Sequence, residues 1–81
     1  SSQKNTHVAG GRVVMGTINK NNLVKIVRAG EIVGSGKILE LQQGKSPTEK
    51  VEVDNEFGMQ LESSVAPESG DMLEVIIKVI Q

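Results

Sequence analysis

The tetrapeptide Gly34-Ser35-Gly36-Lys37 is the first stretch that invites chemistry, because glycine-rich loops ending in lysine cradle phosphates. A phosphate loop also needs a glycine six positions before the lysine and a hydroxyl residue directly after it. Position 31 is Glu and position 38 is Ile, so the stretch reads as a strand kinked by its glycines. Glu49, Glu52, Asp54 and Glu56 offer carboxylates for acid–base work, but their polar positions read as a solvated face. His7 is the single histidine and reads as a solvated side chain. With no cysteine, disulfides, thiolate-bound zinc and thiol catalysis are excluded. No nucleophile stands beside a base. Phe57 is the single aromatic, too few for a base-stacking platform. The residues alone describe a non-catalytic module.

Charge is unevenly placed along these 81 residues. Residues 1–45 sum to +5 and residues 46–81 to −6, for a net −1. A basic half can meet a phosphate backbone; equally, the halves can interleave in a compact fold and neutralise each other.

The elements that must position these groups are strands. Val (11) and Ile (7) dominate the apolar set, and stiff β-branched side chains pack well on a pleated surface. Nine glycines and two prolines punctuate them. Residues 1–10 are polar and without period, and read as an arm; residues 11–81 read as one domain. Strands are expected over 11–18, 23–28, 31–33 continuing at 37–42, a short one near 50–54, then one carrying Phe57, Met59 and Leu61. The last carries Leu73, Val75, Ile77 and Val79 on one face. Residues 43–48 and 62–70 read as loops, with at most one helical turn near Ser46-Pro47-Thr48-Glu49. About six short strands with no room for a crossover helix predict an all-β fold, a small antiparallel barrel, closed or nearly so. No apolar run is long enough for a membrane-spanning helix. With no initiating Met and no secretory leader pattern, the chain reads as a piece of a longer protein.

The run Ala9-Gly10, Gly16, Val24-Lys25-Ile26-Val27-Arg28, Gly36, Leu41, Lys45, Val51, Glu56, Gly58 and Gly70-Asp71-Met72-Leu73-Glu74-Val75 resembles the last domain of bacterial translation initiation factor two, from residue 8 to residue 79. The resemblance implies a domain-II-like β-barrel that holds the formylmethionyl end of initiator tRNA. It implies no enzyme activity or cofactor in this domain, with GTP bound elsewhere in the parent factor. Ribosome contact would come through that parent, in the bacterial cytoplasm or an organelle, and the module would be monomeric.

Carried over residue by residue, the resemblance implies an aminoacyl-tRNA site on two loops. One is Gln42, Gln43, Gly44 and Lys45; the other is Glu56, Phe57 and Gly58. Arg12 and Lys37 are the candidate phosphate contacts. Where the family has Lys-Arg-Phe-Lys, this chain keeps only the final lysine, and Phe57 replaces a cysteine. The second reading is a barrel of the same kind that has lost RNA binding and serves as a spacer or protein contact. Phe57 is equally readable as the domain's core aromatic.

Overall fold

A computed structural model describes residues 5–76. Every element is a strand: β1 (Asn5–Arg12), β2 (Thr17–Asn19), β3 (Leu23–Arg28), β4 (Glu31–Gln43), β5 (Ser46–Pro47), β6 (Lys50–Glu52), β7 (Glu56–Ser63) and β8 (Met72–Val75). The main sheet runs β1-β7-β4-β3-β8 with β5 on β4, and β2 pairs with β6 in a second, two-stranded sheet. All pairings are antiparallel.

The period-two pattern explains which side chains enter the core. Val24 and Ile26 on β3, Ile38 and Leu41 on β4, Val51 on β6, and Met59 and Leu61 on β7 are buried, with Leu73 and Val75 of β8 packed against them. Ile38 and Leu41 are three apart, which would put them on opposite faces of a regular strand. The register against β7 shifts between Ile38 and Glu40, and this extra residue returns Leu41 to the inside. Gly36 permits the closest approach. A Cβ there would stand 2.5 Å from the Glu62 carbonyl oxygen and 3.2 Å from Leu61 Cδ1.

Four expectations change. The expected arm is largely strand: β1 pairs with β7 through all eight of its residues, from Asn5↔Ser63 to Arg12↔Glu56. Its inward residues, His7 and Ala9, are weakly apolar, so no alternation flagged the strand. His7 is half-buried, its Nε2 3.3 Å from the Ser63 carbonyl, and is not the solvated side chain expected. The expected strand 11–18 is broken: β1 ends at Arg12, residues 13–16 turn with Gly16 at φ +69°, and β2 begins at Thr17. The expected loop 43–48 is a tight hairpin, with Gln42↔Pro47 and Gln43↔Ser46 paired across Gly44-Lys45 and Gly44 at φ +64°. The expected all-β, antiparallel architecture is met, while closure into a barrel is not seen among the described residues. β1 pairs only with β7 and β8 only with β3. Between these two edges lies a cleft of about 990 Å³. The expected end of the last strand, residues 77–79, lies outside the described residues.

Candidate functional site

Antiparallel pairing carries the two expected loops to one end of the sheet. Gln42 at the end of β4 pairs with Gly58 near the start of β7, and Gly58 pairs with Gly10 on β1. The row Gln42–Gly58–Gly10 crosses three strands with little side chain on two of them. A Cβ at Gly58 would lie 3.7 Å from Gln42 Oε1, so the glutamine amide folds over the bare backbone. The result is a hollow of about 260 Å³ on the outer face, walled by Val8, Pro47, Glu40 and Gln60. Glu40 is paired with Lys20 at 3.3 Å, which offsets its charge. Gln43, Gly44 and Lys45 continue the β4 end into the hairpin tip. All three are exposed, and Lys45 carries no ion pair among the described residues.

Phe57 does not share that hollow. Side chains alternate along β7, so Glu56 and Gly58 face outward while Phe57 faces the core side opposite Gly11. The ring covers the glycine: a Cβ at Gly11 would stand 3.2 Å from Phe57 Cζ. Phe57 packs against the core cluster, as its reading as a core aromatic expects, and it also lines the large cleft. The expected site residues therefore share one end of the molecule but divide between two faces of the sheet.

The candidate phosphate contacts separate. Arg12 sits at the site end, but Glu56 is 3.7 Å away and its Nη1 donates to the Asp54 carbonyl at 3.0 Å. Lys37 lies five residues back along β4 from Gln42, about 16 Å at a strand's rise. It stands opposite Glu62, and so lies away from the hollow. The basic and acidic halves largely interleave, with Arg12 and Arg28 held by acids of the second half.

Arg28 forms the best-built polar constellation. Its Nε and Nη2 donate to the two Asp71 carboxylate oxygens at 2.9 and 2.8 Å, and Nη2 also reaches the Ala66 carbonyl at 3.2 Å. The Glu68 N–H donates to Asp71 Oδ2 at 2.8 Å. These bonds favour the carboxylate, the Arg28 fork most and the Glu68 amide next, and hold Asp71 down at about 2. The same pairing raises Arg28. The cluster ties the loop before β8 onto β3, and that loop forms one wall of the cleft. No group of histidines and carboxylates among the described residues has metal-holding geometry.

The sequence reading missed Val14 and Met15, which it placed inside a strand. They stand exposed on the 13–16 turn, at 65% and 86%, beside the cleft. The signal was available: Gly16 followed by Thr-Ile-Asn marks a turn before a new strand.

Comparison with known proteins gives one consistent result. The chain is 35% identical over 72 residues to translation initiation factor IF-2 of Ureaplasma parvum, covering 89% of this chain. It is 34% identical over 67 residues to IF-2 of Thermosipho africanus, covering 83%. It is 32% identical over 73 residues to the chloroplastic IF-2 of Porphyra purpurea, covering 90%. The chain matches one segment of translation initiation factor IF-2. It spans only 12%, 10% and 10% of those relatives' own lengths. No family model matches the chain, and no solved structure does. No described helix is long and apolar enough to cross a membrane.

Proposed function

We propose that this IF-2-like chain is a non-catalytic binding module of a translation initiation factor and receives the formylmethionyl end of initiator tRNA. The observation that carries the reading is the Gln42–Gly58–Gly10 row, which brings the two expected loops to one end and leaves a hollow at the base of the hairpin whose tip holds Lys45, a cation with no ion pair among the described residues. Gln42 and Gln60 offer amide donors and acceptors to a sugar or ester oxygen, and Lys45 offers a cation to the terminal phosphates. In this reading the module itself binds no cofactor, the parent factor binds GTP and contacts the ribosome, and the protein works as a monomer in the cytoplasm or in an organelle.

A chemical-shift titration with a formylmethionyl acceptor-stem RNA tests it. The expected result is shifts confined to Gln42–Lys45, Glu56–Gly58 and their strand partners. Absence of shifts there at high RNA concentration rejects the reading. The second reading, a protein-contact barrel without RNA binding, draws on the Arg12–Glu56 pair, which consumes a cation at the site. Salt separates the two, since phosphate contacts weaken steeply with salt and apolar protein contacts do not.

A further inference from the structure

Half of the large apolar side chains that stand exposed among the described residues share one face: Leu23, Ile32, Met72 and Ile76, at 53%, 63%, 52% and 40%. They sit on the outer side of β4, β3 and β8, where the inner side sends Val24, Ile26 and Leu73 to the core. Pairing sets them in rows. Val27 lies opposite Ile32 on one side and Met72 on the other. Two residues back along β3, Lys25 lies between Ser35 and Glu74. Two further back, Leu23 lies opposite Lys37 and beside Ile76, whose N–H donates to the Leu23 carbonyl at 2.8 Å. Arg28 and Asp71, next in sequence to Val27 and Met72, clamp β8 to β3 through two hydrogen bonds and so fix the rows side by side. Singly exposed apolar residues need no explanation; two apolar rows enclosing a charged one on a single sheet face do.

The charged row holds one cation and one anion, and neither Lys25 nor Glu74 is in an ion pair among the described residues. When this face is laid on another copy of itself, a two-fold axis running along the strands between β3 and β8 exchanges those two strands. Lys25 then meets Glu74 of the second copy, and Glu74 meets the second copy's Lys25. Leu23 meets Ile76 and Val27 meets Met72, apolar on apolar in both rows. A purely apolar face would accept many partners. This one matches itself in charge and in hydropathy, in the aligned geometry that two sheets adopt when they pack face to face.

We propose that the outer face of β3 and β8 pairs with the same face of a second copy of this chain. The footprint, three strands wide and five residues long, is roughly 250 Å² at ordinary strand dimensions. A stable dimer buries about 800 Å² on each partner, so this pairing is weak and forms only where copies are concentrated. The site end is left free, since Lys37 at the edge of the face is already five residues from Gln42 along β4. The inference goes beyond the RNA-binding reading without resting on it, and it qualifies the monomeric state of that reading only at high concentration.

The test follows backbone amide shifts and tumbling of the wild-type chain from about 0.05 to about 2 mM, the range in which a weak contact fills. Concentration-dependent shifts confined to residues 23–27, 32–37 and 72–76, with slower tumbling, are expected. Lys25→Glu and Glu74→Lys each set like charges against the second copy and are expected to weaken self-association by about tenfold or more. An equimolar mixture of these two variants restores opposite charges at both contacts and is expected to associate as wild type does alone. The double variant K25E/E74K keeps the charge match with itself and is expected to do the same. Unchanged dispersion of the Val24, Ile38 and Leu61 signals checks the fold of each variant. Shifts that are absent at the highest concentration, or centred on the 13–16 turn, overturn the proposal. So does a mixture of the single variants that stays monomeric while wild type pairs. Titration with RNA reads a different end of the molecule, so pairing without RNA binding rejects only the RNA-binding reading, and RNA binding without pairing rejects only this one.

Discussion

Replacing Gly36 by alanine probes the contact on which the position of the site depends. Gly36 lies where β4 crosses closest to β7, and a Cβ there would meet the Glu62 carbonyl at 2.5 Å, Ser63 Cβ at 3.1 Å and Leu61 Cδ1 at 3.2 Å. Two of these obstacles cannot swing away: one is backbone, and Ser63 is fully buried, with its hydroxyl bonded to the Val65 carbonyl. Relief requires β4 and β7 to separate locally. Overpacking of this kind costs about 1–3 kcal/mol. Against that stands the about 0.4–1 kcal/mol that Gly→Ala gains by restricting the unfolded chain. The net expectation is destabilisation by about 1–2 kcal/mol. For a small domain with a urea m-value near 1 kcal/mol/M, the midpoint falls by about 1–2 M. Gly58→Ala is the matched control. Its Cβ meets only Gln42 Oε1 at 3.7 Å, an ordinary contact, and the backbone is not left-handed. It is expected to hold or raise the midpoint by up to about 1 M while weakening RNA binding by intruding on the hollow. Equal midpoints for Gly36→Ala and wild type would refute the packing argument, and with it the register that sets Gln42 beside Gly58.

Two further outcomes follow from the polar groups. Asp71, held at about 2 against an ordinary 3.8, adds stability that is fully present above its ordinary value and is lost as pH falls from about 3.8 through 2. Thermal melts between pH 2 and 5 are expected to show wild type losing stability across that window. Asp71→Asn should be less stable at pH 5 and should converge on wild type at pH 2; parallel curves would reject the linkage. Lys45→Ala is expected to reduce the dependence of log affinity for the RNA on log salt by nearly one unit. Lys37→Ala, displaced along β4 and opposite Glu62, is expected to leave that slope unchanged, as fluorescence titration at several salt concentrations would reveal.

The alternating stretches were legible because one face of each strand is buried. Phe57, Met59 and Leu61, and likewise Leu73 and Val75, announce their inward faces without reference to any partner. β1 was not legible, because Asn5–Arg12 is an edge strand whose inward positions hold His7, Ala9 and Gly11. Its strand character comes from pairing with residues about fifty positions away, and no local pattern records that. The hairpin at Gly44-Lys45 was hidden for a related reason, as β5 is two residues long and contains a proline. The site loops were identifiable by spacing, but their division between two faces follows from the parity of β7, which a one-residue difference in register would reverse.

The amino-acid order by itself determined the class of the molecule. β-Branched residues at every second position can bury one face only as strands, and the absence of cysteine and of clustered histidines removes whole families of chemistry. Tertiary structure alone decided that β1 pairs along β7, that Arg12 lies beside Glu56 while Lys45 carries no ion pair among the described residues, and that Phe57 covers Gly11. Each of these depends on which distant strands become neighbours. That choice is made by the whole core packing at once, and no short stretch of sequence contains it.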